Sequence, residues 1–240
     1  MIGAEHTFQL AHMSQDILPL VPIFYAVFLL STVCHEAAHA LVAKWGGDLT
    51  AYSGGQVSLD PVPHIKREPF GLVLIPLLSL TTSGSMFGWG SAPFDPYWQI
   101  RYPRRAALMA LAGPVANFAL AGVAAIIMHV GIATGFFVAT SGLSVTSLHG
   151  GLLPEFGFFI STLLKMNVLL GVFNLLPVPP LDGHSVLGLF LPERTFLQFL
   201  EWVRTPMFSL LGFIVALQVL PYLVYPALRI AERVVSLPLM

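Results

Sequence analysis

The chain has 240 residues, 56% of them hydrophobic and only 10% charged, where an ordinary soluble domain is about 25% charged; this composition excludes a water-soluble globule. Eleven Lys+Arg against twelve Asp+Glu give a formal charge of −1, so no basic field exists to hold nucleic acid, and the few basic residues matter by where they stand. The single cysteine, Cys34, excludes an internal disulfide, and the length suits one membrane domain over residues 1–240 without a separate soluble domain of typical size.

A spanning helix needs about 20 mostly apolar residues, and the gaps between charges supply four or five such stretches. The expected fold is therefore an all-α polytopic membrane protein, a bundle of about 4–6 helices. The first stretch runs from Ile17 to about Trp45. It is preceded by no Lys or Arg, so no signal peptide is expected and the helix is retained. By the positive-inside rule its N-terminus lies outside, while Lys44, Lys66, Arg67, Arg101, Arg104 and Arg105 mark the cytoplasmic side. Between Lys44 and Lys66, apolar residues alternate with polar ones around Gly54-Gly55; a small membrane-associated β-hairpin at 46–60 and an irregular polar loop both fit.

If Lys44 and Arg105 share one side, the uncharged stretch Pro69–Phe94 must enter and return. Its Pro76, Gly84, Gly88 and Gly90 permit re-entry where protein or water satisfies the backbone; a plain spanning helix is the competing reading. A third stretch follows Arg105 to about Thr134, and Thr134–His149 reads as an external loop. A fourth spans about Leu152–Leu176, and a fifth, C-terminal helix covers about 206–228.

The first stretch carries His35-Glu36-Ala37-Ala38-His39. Helix positions four apart share a face, about 6 Å between Cβ atoms, so the two imidazoles can converge on one metal ion, with Glu36 beside them to take a proton from metal-bound water. The alternative is a metal-free hydrogen-bonded cluster, which leaves three polar side chains in five residues of apolar helix without full compensation. Cys34 points about 100° from His35 and reads as a packed thiol. A catalytic zinc wants a third protein ligand. Asp182 is a candidate, because Pro177, Pro179 and Pro180 end the fourth helix and present it from an extended segment; an Asp-Gly turn without metal is equally compatible.

The ordered set of H-E-x-x-H, then Ala112-Gly113-Pro114-Val115-Ala116-Asn117, then Asn174-Leu-Leu-Pro-Val-Pro-Pro-Leu-Asp182-Gly183 resembles the site-2 protease family of intramembrane zinc metalloproteases, over a core of about residues 17–190. The resemblance implies that His35, His39 and Asp182 bind one Zn²⁺ and that Glu36 is the catalytic base acting on a zinc-bound water. It also implies that Asn174 holds the substrate backbone or the developing oxyanion, that Gly113, Pro114 and Asn117 form a packing motif, and that residues 46–60 form the family's hairpin. With no segment long enough for a PDZ domain or paired CBS domains, the chain is similar to the minimal, core-only members. The implied partners are the lipid bilayer and transmembrane-protein substrates cut in regulated intramembrane proteolysis. The implied location is a prokaryotic plasma membrane, with the active site toward the cytoplasm. A non-proteolytic membrane metal-binding or transport protein is the alternative, and it has no use for Glu36. His64 reads as a surface or interfacial residue, and His184 as a neighbour that could orient Asp182. Lys165, in the middle of the fourth stretch, must snorkel, pair with an acid or face a wet cleft.

Overall fold

The computed structural model describes residues 18–147, 153–203 and 205–236. Its first long helix, α1 (Val21–Gly46), starts behind a 3-10 turn with Pro22 in its first turn and stops at Gly47, whose φ of 99° only glycine adopts without strain. Short elements follow: α2 (Thr50–Ser53), α3 (Pro61–Arg67), a π-helical turn (Phe70–Leu74) running into α4 (Ile75–Ser83), and α5 (Pro96–Arg101). Asp60 and Asp95 cap α3 and α5 by accepting from the backbone N–H of Val62 and Tyr97. The remaining elements are α6 (Pro103–Ala133), a hairpin of β1 (Phe137–Ala139) and β2 (Val145–Ser147), α7 (Leu153–Asn174), α8 (Asp182–Val186), α9 (Glu193–Val203) and α10 (Pro206–Val235).

Four of these helices are long and apolar enough to cross a membrane: Val21–Gly46, Pro103–Ala133, Pro154–Asn174 and Pro206–Val235. They correspond to the first, third, fourth and fifth stretches expected from the sequence, although Ile17 and Leu152 lie outside the described residues. Helix α6 packs against both α1 and α7, and its Ala121, Ala124 and Ala125 let Val27 of α1 and Ile160, Leu163, Leu164 and Val168 of α7 approach closely. By contrast, only 11% of the apolar window of α10 is buried, so most of its side chains face outward. At 30 residues and about 1.5 Å each it measures about 45 Å, which outruns a hydrocarbon core of about 30 Å. Arg229, Glu232 and Arg233 can therefore clear the apolar layer, and the helix continues past the expected end at 228.

The stretch Pro69–Phe94 doubles back. Its apolar helix, Phe70–Ser83, is about 21 Å long at 1.5 Å per residue, too short to span, and it ends at Gly84 with φ 68°. The chain then returns extended, so that the Trp89 N–H donates to the Gly71 carbonyl and the Ser91 hydroxyl to Glu68 Oε1 at 2.5 Å. A Cβ on Gly88 would strike both the Gly71 carbonyl, at 2.5 Å, and the Phe28 ring; only glycine fits this crossing.

Two expectations are corrected here. Residues 46–60 contain no strand: Asp48 Oδ1 accepts from both the N–H and the hydroxyl of Thr50 and starts a helical turn where alternation suggested a strand. The two-stranded hairpin lies instead in the stretch read as an external loop, with Phe137 opposite Ser147 and Ala139 opposite Val145; residues 148 and 149 of that stretch lie outside the described residues. His64, read as a surface residue, is 1% exposed. The Ser58–Asp60 turn closes over its ring, whose Nε2–H donates to the Ser58 carbonyl.

The hairpin also answers the question of Lys165. A Cβ on Gly157 would meet the Val145 carbonyl, the Ser161 hydroxyl accepts from the Val145 N–H, and Lys165 Nζ donates to the Ser144 hydroxyl at 2.6 Å. One face of α7, repeating every four residues, thus docks the hairpin, and a hydroxyl rather than a carboxylate receives the ammonium.

Candidate functional site

His35 and His39, one turn apart on α1, bring their Nε2 atoms to 2.9 Å. Asp182 Oδ2 completes a triangle with them, 3.1 Å from His35 Nε2 and 3.3 Å from His39 Nε2. Ligands about 2.0–2.1 Å from a tetrahedral ion stand about 3.3 Å apart, so the three atoms have the spacing that one zinc requires. The chemistry of the set agrees: two neutral nitrogens and one carboxylate. Asp182 Oδ2 is fully buried and has no hydrogen-bond partner, an orphaned acceptor of the kind a cation satisfies. These three side chains could hold a metal.

Asp182 reaches this point because α7 ends at Asn174 and the proline-bearing segment turns the chain back. Gly183 makes the return fit, since a Cβ there would strike the carbonyl oxygens of Leu175 and Leu176. Burial opposes ionisation of the Asp182 carboxyl, but His39 and His35 outweigh it and hold the group below the usual carboxylate range.

Helix α6 backs the two imidazoles. His39 Nδ1 lies 2.7 Å from the Met109 carbonyl oxygen, which can only accept, so Nδ1 carries the proton and Nε2 keeps its lone pair. His35 Nδ1 lies 2.6 Å from Asn117 Oδ1. Between these contacts sits Gly113, where a Cβ would come within 2.6 Å of His35 Nε2 and closer still to His39 Nε2. The glycine and asparagine of the packing motif therefore touch the candidate ligands directly, which the sequence reading did not assign to them. Asn167 of α7, which it did not single out at all, bonds Asn117 at 2.9 Å. The available signal was the cost of an amide in an apolar helix.

Glu36 is 6% exposed and makes no hydrogen bond to any described residue. The returning loop crosses it: a Cβ on Gly90 would lie 2.7 Å from Glu36 Cγ and 2.8 Å from Oε1. The next residue, Ser91, is held by Gln56 Nε2 on its carbonyl and by Arg67 Nε and Glu68 on its hydroxyl. Asn174 closes α7, half-buried, and is bonded to none of the three candidate ligands. Cys34 is half-buried and outside the triangle. His184 places Nδ1 on the Leu181 carbonyl and pairs Nε2 with the Ser185 hydroxyl, so its ring is engaged away from the Asp182 carboxylate.

The profile described as peptidase family M50 matches residues 23–211. YwhC of Bacillus subtilis (strain 168), named as a candidate zinc metalloprotease, is 33% identical over 181 residues, covering 73% of this chain and 72% of its own. Two mycobacterial proteins named Rip2, candidates of the same kind, are similar as well. That of Mycolicibacterium smegmatis is 28% identical over 74% of this chain and 62% of its own, and that of Mycobacterium tuberculosis (strain H37Rv) is 30% identical over 71% and 58%. The chain thus spans about three fifths of the Rip2 proteins. No solved structure matches it. With four apolar helices long enough to span, a His-His-Asp triangle among them and a profile match over most of its length, the chain belongs to peptidase family M50, the site-2 protease family of membrane-embedded zinc metalloproteases.

Proposed function

We propose that this protein hydrolyses peptide bonds within or next to membrane-spanning segments of other membrane proteins, with His35, His39 and Asp182 as ligands of one zinc ion and Glu36 as general base. The observation that carries the reading is the convergence of the three ligand atoms within 3.3 Å, one of them an orphaned carboxylate oxygen, inside a bundle of apolar helices. Zinc bound there would polarise the scissile carbonyl and acidify water beside it.

The chain's own residues do the rest. Glu36, buried and without a hydrogen bond to any described residue, receives a proton from the attacking water and returns it to the leaving amine. Asn174 donates its amide N–H to the substrate carbonyl oxygen as negative charge develops there, an interaction whose loss typically costs about 100-fold or more in rate. His39 and Met109 keep an Nε2 lone pair turned to the site. Basic residues Lys44, Lys66, Arg67, Arg101, Arg104 and Arg105 put this end of the bundle at the cytoplasmic face, and His35 and His39 stand about 8–15 Å inside it at 1.5 Å per residue. Cleavage therefore falls on the cytoplasmic side of the bilayer centre.

The test is a pair of variants assayed for zinc content and for cleavage of a model transmembrane substrate. Glu36→Gln keeps zinc and loses cleavage by orders of magnitude, whereas Asp182→Ala loses zinc. Undiminished cleavage by Glu36→Gln ends the protease reading. Stoichiometric zinc in a protein that cuts none of a panel of transmembrane substrates favours metal binding without proteolysis.

A further inference from the structure

Three side chains that touch no candidate metal ligand atom form a polar line through the apolar core: Ser31 of α1, Asn117 of α6 and Asn167 of α7, each fully buried. Such groups are costly in a membrane interior unless each is satisfied, and here the direction of every hydrogen bond can be deduced. Asn167 turns one amide terminus to the Leu163 carbonyl oxygen at 2.9 Å and to Ser31 Oγ at 2.8 Å. A carbonyl only accepts, so that terminus is the NH₂ group. The Ser31 hydroxyl spends its own proton on the Val27 carbonyl at 2.7 Å, which leaves its lone pairs free for Asn167. Asn167 therefore presents Oδ1 to Asn117, and the atom of Asn117 lying 2.9 Å away is Nδ2, which also faces the Ser31 carbonyl at 3.5 Å. What remains of Asn117 is Oδ1, 2.6 Å from His35 Nδ1.

We infer that Asn167 is a positioning residue for the metal centre: acting through the orientation of the Asn117 amide, it fixes the proton of His35 on Nδ1 and turns the Nε2 lone pair toward Asp182 and His39. Unlike a carboxylate, an amide has two unlike ends. Reversed, Asn117 would offer NH₂ to His35, draw the imidazole proton onto Nε2 and abolish the ligand. His39 needs no such device, because the Met109 carbonyl cannot be reversed. The backbone carbonyls of Leu163 and Val27, on two different helices, set the polarity of the line, so it stays aligned only while α1, α6 and α7 are packed together. This inference rests on the zinc reading for its function, but its hydrogen-bond polarity does not.

The test measures zinc affinity of the full chain in detergent by competition with a chromophoric chelator. Asn167→Leu is expected to weaken zinc binding at least about tenfold, the lower end of what loss of an outer partner of a metal-binding histidine costs. In the Asn117→Asp background either carboxylate oxygen can accept from Nδ1–H and no end needs choosing, so Asn167→Leu is expected to change affinity less than about threefold. An equal loss in both backgrounds means that Asn167 merely packs, and overturns the inference, as does no loss in either. Should Asn167→Leu fail to fold, the wild-type protein provides the second measurement. In ¹⁵N spectra of the metal-free, imidazole-labelled chain, with His35 assigned by its substitution and the pH raised until its ring is neutral, the proton must sit on Nδ1, and a bare Nδ1 overturns the inference. A wild-type chain that binds no zinc would sink the metal reading, and those spectra would still decide the polarity of the line.

Discussion

Gly113→Ala tests whether the closeness of α6 to the imidazoles is part of the site. The added methyl would stand 2.6 Å from His35 Cε1 and Nε2 and nearer to His39 Nε2, where ordinary contact begins at 3.4 Å. His35 Nε2 would have to retreat about 0.8 Å, against a tolerance of about 0.2 Å in metal–ligand distances. Neither ring is free to move, since each is tied by its Nδ1 to α6 itself, at Asn117 and Met109. Overpacking of this kind costs about 1–3 kcal/mol of stability, and the displaced ligand atom should cost zinc affinity about 100-fold. Gly122 of the same helix is the control: nothing lies within 4 Å of a Cβ placed there, so Gly122→Ala should leave zinc affinity unchanged and add up to about 1 kcal/mol through helix propensity. Chelator competition and thermal unfolding in detergent read both quantities. If Gly113→Ala binds zinc within threefold of wild type, the backing of the imidazoles by α6 is not as described.

Gly90→Val presses on the Glu36 carboxylate rather than on the ligands; it should lower the turnover of a transmembrane substrate at least about tenfold while zinc content measured by atomic absorption stays stoichiometric. Asn174→Ala should retain zinc and lower kcat by about 100-fold, with less effect on KM, in steady-state cleavage assays. Acid should release the metal by protonating the two imidazoles, so affinity falls as pH falls. Chelator competition repeated from about pH 7.5 to about pH 5.5 reads this fall, and a pH-independent affinity would contradict imidazole ligation. Lys165→Met should leave thermal stability unchanged or raised, because the single bond to Ser144 offsets little of the cost of an ammonium in an apolar helix.

The spanning helices and the candidate ligands were legible because both are local patterns: uninterrupted apolar length for the helices, and one turn of α1 for His35, Glu36 and His39. Asp182 was legible only as a possibility, since an Asp-Gly pair after prolines has the same local chemistry whether it turns at a surface or reaches into a site. What the sequence hid was tertiary. Alternation around Gly54-Gly55 suggested strands, but Leu49, Tyr52 and Leu59 are all exposed, so the alternation marks no buried face, and the turn closed by the Asp48 carboxylate on Thr50 decided the local structure. The real hairpin has strands of three residues, held partly by Ser161 and Lys165 from inside the helix that follows it. Likewise nothing local to Asn117 shows that it faces His35, 82 residues away. Glycines 90 and 113 gave no sign that they sit on the Glu36 carboxylate and the candidate ligands, because what a glycine leaves room for is defined by the other chain segment.

The distribution of satisfied and unsatisfied polar groups points to where the chemistry must occur. In a bundle this apolar, every buried donor and acceptor without a partner is a standing cost of a few kcal/mol, and most are matched here: Nδ1 of both His35 and His39, the amides of Asn117 and Asn167, and the hydroxyl of Ser31. Among the described residues the buried atoms left without a partner are His64 Nδ1, away from this network, and Asp182 Oδ2 at its centre; the neighbouring Glu36 carboxylate also makes no hydrogen bond to a described residue. A cluster built only for stability would have spent donors on its acids first. Leaving both acids open while fixing the rings beside them is the arrangement expected when one acid awaits a cation and the other a proton, and it is why Glu36→Gln, which preserves shape and removes only the basic oxygen, is the most informative single substitution.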